Sequence, residues 1–200
     1  MDNQLYLDTP LTQAIGEFFG KMEAVIQAQA QGLTINAYLF GGCALHIHTN
    51  ARGSSDVDVH LEAVNGLSSR DILLQIEAVY YIDSDGEFQA LAGDTGFNTS
   101  IASVAPDFEE RAIKLHFGNG LIDVHLVGGT DLAVSKLGRG QAQDMDDILS
   151  LYKSGKFTIS EFKALADDAG AYYINPPSLK RNAEHAIYLM EKSTSNNSDE

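Results

Sequence analysis

The residues best suited to do chemistry lie between Leu39 and Ala63, in LFGGCALHIHTNARGSSDVDVHLEA. Asp56 and Asp58 stand two apart in a run that continues through His60 and Glu62, with Val57, Val59 and Leu61 between them. On a strand, residues of like parity share a face, and two such carboxylates sit ~7 Å apart at the backbone, close enough to converge on one or two Mg²⁺ or Mn²⁺ ions. Upstream, Gly41 and Gly42 end an apolar run. Glycines at a strand end let backbone approach a ligand, and a helix starting there turns free N–H groups toward phosphate. Ions held in this way bridge the phosphates of a nucleoside triphosphate, polarise the α-phosphorus and acidify an attacking hydroxyl. Arg52, Ser54 and Ser55 precede the acids, where a donor can reach a phosphate or simply close the turn.

Other polar residues compete for roles. Asp123, in LIDVHLV, is a central aspartate on an apolar strand and is the candidate third carboxylate for metal and catalysis. His60 follows Asp58 on one strand face and His125 follows Asp123 likewise, so two histidines and three aspartates also suit a metal-dependent phosphohydrolase. His46 and His48, two apart on a short helix, do not share a face. Cys43, the single cysteine, has no partner in the chain for a disulfide and lies in an apolar context.

The elements that must position these groups follow from periodicity. Leu11, Ile15, Phe18, Met22, Val25 and Ile26 place one helix over 11–31. INAYLF (35–40) reads as a strand, followed by a turn and a short helix from Cys43, and SDVDVHLEA as one continuous strand. Residues 68–82 read as a helix with serine caps, and GFNTSIASV as the strand within a looping segment. AIKLHF, GNG and LIDVHLV form a hairpin. Thereafter the chain is helical: Thr130 caps DLAVSKLG, QAQDMDDILSLYKSG puts Met145, Ile148, Leu149 and Tyr152 on one face, TISE (158–161) is a capping box, and LKRNAEHAIYLMEK is a last helix.

The expected class is α/β (α+β): a mixed β-sheet with flanking helices over 1–130, a C-terminal helical region over 131–192 packed on it, and a disordered tail over 193–200. Hydrophobic residues make up 44% of the 200 and charged residues 20%, with no run long enough to span a membrane. MDNQLYLDTPL lacks the basic and apolar regions of a signal peptide, so a cytoplasmic protein is expected. A net charge of −15 argues against duplex DNA as a partner, since binding to phosphate backbones depends on Lys and Arg.

Phe40-Gly41-Gly42, a thirteen-residue spacer (43–55) and Asp56-Val57-Asp58-Val59 together resemble the signature of the DNA polymerase β-like nucleotidyltransferase superfamily. RGSSDVD (52–58) looks like the form frequent in its smaller, stand-alone members. PDFEERAIKL and LVGGTDLAVSKLGRGQAQDMDDILSL resemble minimal bacterial nucleotidyltransferases related to AbiEii-type toxins, at Asp131, Leu132, Lys136, Leu137, Arg139, Asp144 and Asp147. The resemblance implies a polymerase β-like fold and Mg²⁺-dependent transfer of a nucleoside monophosphate from a triphosphate to an acceptor hydroxyl, on an RNA end such as tRNA, a protein side chain or a small molecule. It implies Lys136 and Arg139 as contacts to the nucleotide, Asp144 and Asp147 as groups that support them, and a cognate antitoxin as partner. A non-catalytic nucleotide- or partner-binding member of the same fold is the alternative.

Overall fold

The computed structural model of the chain describes residues 4–29, 35–62, 68–99, 102–118 and 120–196. They fall into two compact units, one of Leu5–Phe97 with Arg111–Val127, the other of Met1–Gln4, Asn98–Glu110 and Gly128–Glu200. The first contains, in chain order, α1 (Pro10–Gln29), β1 (Ile35–Leu39), α2 (Gly41–Thr49), β2 (Asp56–Val57), β3 (Val59–Leu61), α3 (Ser69–Leu73), β4 (Val79–Ile82), β5 (Phe88–Gly93), β6 (Ile113–Leu115) and β7 (Ile122–Leu126). The second contains α4 (Gly129–Ser135), α5 (Ala142–Lys153), α6 (Ile159–Tyr172) and α7 (Pro176–Asn196).

The first unit is a mixed α/β structure with two mixed sheets. One has the order β3-β1-β7-β6, with β1 parallel to β7 and antiparallel to β3; the other has the order β2-β5-β4. Ala37, Leu39, Val59, Leu61, Val124 and Leu126 have one parity on their strands and are all buried, as expected of a sheet that packs one face on helices. From α1, the buried partners are Leu11, Ile15, Phe18, Met22 and Ile26 at helical spacing; Val25 is half-buried. Residues 30 and 31, the end of the expected helix, lie outside the described residues.

Glu23, buried on α1, is an exception with a purpose. Its Oε1 accepts the backbone N–H groups of Gly120, Leu121 and Ile122 at 3.0, 3.0 and 3.3 Å, which fixes the start of β7. Gly118 allows this: its φ is +71°, and a Cβ there would lie 2.6 Å from the Glu23 Cδ.

Four readings of local structure are corrected. The region 68–82 is not one helix. Ser68 caps α3 by accepting from Asp71 N at 3.1 Å, but the helix ends at Leu73, because Val79, Tyr80, Tyr81 and Ile82 are β-branched or aromatic and pair antiparallel with β5. The described residues of GFNTSIASV form no strand, residues 100 and 101 of it lying outside the described residues, and the strand of this segment is FQALAG, β5; the Asp94 carboxylate accepts from Gly96 N at 2.7 Å and turns the chain before GFN. SDVDVHLEA is not one strand but two, broken at Asp58. Lastly, α7 continues through residues 193–196, where Ser193 and Thr194 donate to the Met190 carbonyl; residues 197–200 of the expected disordered tail lie outside the described residues.

In the second unit the TISE box forms as expected, Thr158 Oγ1 accepting from Glu161 N at 3.2 Å and Glu161 accepting from Thr158 N at 2.7 Å. Thr130 lies inside α4, whose N-cap is Gly128. Among the described residues no helix is long and apolar enough to cross a membrane.

Candidate active site

The break at Asp58 is the centre of the site. On one side β2 pairs in parallel with β5, Asp56 opposite Ala92 and Val57 opposite Gly93; on the other, the Asp58 carbonyl accepts from Phe40 N at 2.8 Å, immediately before Gly41. The chain therefore passes from one sheet to the other at Asp58, which places its carboxylate at the N-terminus of α2.

Gly41 takes a φ of +62°, a region that only glycine enters readily. A Cβ on Gly41 would overlap Asp58 Oδ2 and stand 2.5 Å from its Cγ and 2.9 Å from its Cβ. At Gly42 a Cβ would fall 2.6 Å from Ser54 Oγ and 3.0 Å from Arg52 Nη1. Gly41, Gly42, Arg52, Ser54 and Asp58 thus form one cluster, in which the glycines admit side chains that any larger residue would displace.

The loop before β2 is pinned to the same cluster. Ser54 Oγ donates to the Asp56 carbonyl at 3.0 Å, and Ser55 Oγ to Asp56 Oδ2 at 3.0 Å. Arg52 Nη1 donates to the Gly53 carbonyl at 2.9 Å. His46, in the last turn of α2, donates from Nδ1 to the Arg52 carbonyl at 3.0 Å and has the Thr9 hydroxyl 2.7 Å from Nε2.

Burial lowers the His46 pKa from 6.5, opposed by the bond to Arg52. The folded chain then binds fewer protons at this ring than the unfolded chain, so its contribution to stability is complete above about pH 6.5 and is lost as pH falls through the lower folded value. In urea unfolding between pH 7.5 and 5, His46→Gln is expected to remove that part of the acid-side slope.

Cys43 is buried beneath the cluster and donates from Sγ to the Asp56 carbonyl at 3.2 Å. Burial first, then the charges of Asp58 and Asp56, push its pKa to about 12, against the lowering effects of Ser54 and Arg52. It is no nucleophile. Iodoacetamide at pH 8 should modify it only on unfolding, and rapid labelling of the folded protein would contradict this placement.

Several of the other candidates are elsewhere. Asp123 is opposite Asn36 on β1, four residues along the strands from the Asp58 row and two strands across, which puts it roughly 16 Å away by strand geometry. Its carboxylate pairs instead with Lys114 Nζ at 2.8 Å. This removes it as the third metal carboxylate. His60 and His125 are separated by Tyr38, with ring centroids 6.3 and 5.1 Å from that of Tyr38, so they cannot share a metal. Among the described residues no three His, Cys, Asp or Glu side chains are grouped closely enough to hold a metal, and the phosphohydrolase constellation is absent.

In the second unit, Lys136 is 6% exposed and its Nζ lies 2.6 Å from Asp147 Oδ2. Asp147 Oδ1 also accepts from Gln143 at 3.1 Å. Arg139 forms a fork on the fully buried Asp144, with Nε and Nη2 at 2.8 and 2.6 Å, and Asp144 also caps α5 through Gln141 N at 3.0 Å. The two acids are therefore partners of the two cations, not a solvated face, and Lys136 sits in a buried ion pair rather than presenting a solvated ammonium.

One acid near the cluster was not singled out from the sequence. Asp94 N donates to the Val57 carbonyl at 3.0 Å, which continues the β2–β5 register so that Asp94 is the residue beside Asp58. Its signal in the sequence was an acid directly after a β-type run, in LAGDTGF, but finding it required the pairing of β5 with β2.

The family model described as nucleotidyltransferase of unknown function (DUF6036) matches residues 17–191. The chain belongs to this family. The Gly41–Asp58 cluster lies within the matched part of this nucleotidyltransferase-family chain, as do the Lys136–Asp147 and Arg139–Asp144 pairs. Among solved structures it is similar to an antigenic nucleotidyltransferase-like protein from Paracoccidioides brasiliensis, at 11% identity and a TM-score of 0.45, over 88% of this chain and 94% of that one. No curated protein matches.

Proposed function

We propose that the protein transfers a nucleoside monophosphate from a nucleoside triphosphate to an acceptor hydroxyl, with release of pyrophosphate. The observation that carries this reading is the interlock of Gly41 with Asp58: a glycine at positive φ, at the start of a helix, against a carboxylate that shares a strand region with Asp56. Membership of the nucleotidyltransferase family supports it.

The donor set fits a hard divalent cation. Asp56 and Asp58 are the two carboxylates that would hold it, the remaining positions being left to triphosphate oxygens and water. A bound Mg²⁺ supplies charge neutralisation at the α-phosphate and acidifies the acceptor hydroxyl. The chain's own residues do the rest. The N–H groups at the start of α2 face phosphate, Gly41 and Gly42 permit its approach, Ser55 orients Asp56, and Arg52 and Ser54 close the rim. Lys136 and Arg139 are held in the second unit by Asp147 and Asp144.

Calorimetric titration of ATP and of GTP, with and without Mg²⁺, tests this in the parent and in Asp58→Asn. Binding that requires Mg²⁺ and falls at least about tenfold in the variant is expected, since one of two charged ligands is lost. Equal binding by both proteins would exclude the site.

A further inference from the structure

The sheet β2-β5-β4 has two different faces. Val79, Leu91 and Val57 are buried on one; on the other, Asp56, Ala92, Ala90, Tyr80, Phe88 and Ile82 all point outward, by the pairings Asp56 with Ala92, Tyr80 with Ala90 and Ile82 with Phe88. Tyr80, Ile82 and Phe88 are 63, 54 and 68% exposed, and the rings of Tyr80 and Phe88 stack with centroids 5.5 Å apart. An apolar patch of this kind is a liability on an uncovered sheet and marks a binding surface. It is continuous with the carboxylates: a floor of two alanines leads from the aromatic pair to Asp56.

We infer that this face seats the acceptor, and that the acceptor is an extended, basic polypeptide segment whose Ser, Thr or Tyr hydroxyl receives the nucleotide. This rests on the proposed transfer activity. The charge around the face selects the occupant. The β4–β5 turn carries Asp83, Asp85 and Glu87, and Asp83 is kept ionised by accepting from Glu87 N at 2.9 Å, Gln89 Nε2 at 2.8 Å and Asp85 N at 3.0 Å. With a chain net charge of −15, this surface repels a polyphosphate backbone and attracts lysine and arginine. The alanine floor leaves room for a main chain to lie flat.

The register fixes a spacing. Strand geometry places Tyr80 and Phe88 ~12 and ~14 Å from Asp56 at the backbone. An extended chain covers that in roughly three to four residues at 3.3 Å each. An apolar or aromatic side chain resting on the Tyr80–Phe88 pair therefore delivers the hydroxyl three or four residues away to the metal carboxylates. There the hydroxyl oxygen bonds to the α-phosphorus, the bond from that phosphorus to the bridging oxygen breaks, pyrophosphate leaves, and the hydroxyl proton passes to solvent.

The test uses the full chain, Mg²⁺ and α-labelled ATP and GTP. The probes are a pool of synthetic lysine-rich peptides with one fixed leucine or phenylalanine and one serine, threonine or tyrosine at offsets of one to six, and total RNA. The expected result is label on peptides of offset three or four, little on RNA, and a KM for the best peptide raised at least about tenfold in Tyr80→Ser/Phe88→Ser, with kcat within about threefold. Asp85→Lys/Glu87→Lys, far from any core contact, should raise the same KM and reduce its salt dependence; circular dichroism and the thermal midpoint verify folding of both variants. Preferred labelling of RNA overturns the inference, as does labelling of peptides that ignores offset and both variants. Mg²⁺-dependent nucleotide binding without peptide labelling overturns this inference alone, whereas failure of the parent to bind nucleotide overturns the reading beneath it.

Discussion

Gly41→Ala is expected to abolish measurable nucleotidyl transfer while leaving a folded protein. The added methyl overlaps Asp58 Oδ2 and approaches its Cγ to 2.5 Å, so the carboxylate must swing away or α2 must shift. Displacements near 1 Å in a catalytic constellation cost about 100-fold in rate. Here the displaced group is itself a proposed metal ligand, so a loss of at least about that size is expected. The backbone also resists: holding an L-residue at this φ costs roughly 1–2 kcal/mol. Gly42→Ala is the instructive comparison. Its methyl meets the ends of Ser54 and Arg52, side chains that can rotate aside, and its backbone is not left-handed. Transfer reduced only severalfold in Gly42→Ala and abolished in Gly41→Ala is the expected pair of results, read by labelled nucleotide incorporation and by Mg²⁺-dependent calorimetric binding. Normal transfer by Gly41→Ala would remove Asp58 from the mechanism.

The second large effect is on stability. Glu23→Ala is expected to destabilise the protein by about 3–5 kcal/mol, because three backbone donors at the start of β7, that of Ile122 buried, lose one charged acceptor and hydrogen bonds to charged groups are worth about 1.5–3 kcal/mol each. For a chain of this length that corresponds to a fall in the thermal midpoint of roughly 6–20 °C. Glu23→Gln keeps an acceptor oxygen in place and should cost well under half as much. Urea unfolding at fixed pH, monitored by far-UV circular dichroism, separates the two. Similar midpoints for Glu23→Ala and the parent would show that β7 begins without help from α1.

Much of the architecture was legible because it is local. The stripe Leu11 to Ile26 at helical spacing, the alternation of Ile122 to Leu126, and the Thr158–Glu161 box each encode an element in neighbouring residues, and each element formed. Local reasoning misled where a partner far along the chain overrode it. Val79–Ile82 was read as the end of a helix, and became β4 because Phe88–Leu91 pairs with it. Asp56–Glu62 was read as one strand, and became two because β5 takes its first half and β1 its second.

The candidate site divides in the same way. The sequence by itself determined the glycine pair, the two aspartates and their rim of Arg52, Ser54 and Ser55, since a short spacer confines them to one strand, helix and strand unit. It also determined the cations and acids of the second unit, because Lys136 and Asp147, and Arg139 and Asp144, meet across one short turn. Only the tertiary structure decided where Asp123 and Asp94 lie relative to Asp58. Asp123 has the better local credentials, a lone acid on an apolar strand, yet strand register sets it four rows from Asp58 and beside Lys114, while Asp94 arrives next to Asp58 through β5. The physical reason is that composition and periodicity specify which face of a strand a residue occupies, but its position along a sheet depends on which strands pair and in what register, and that is settled by packing across the whole unit.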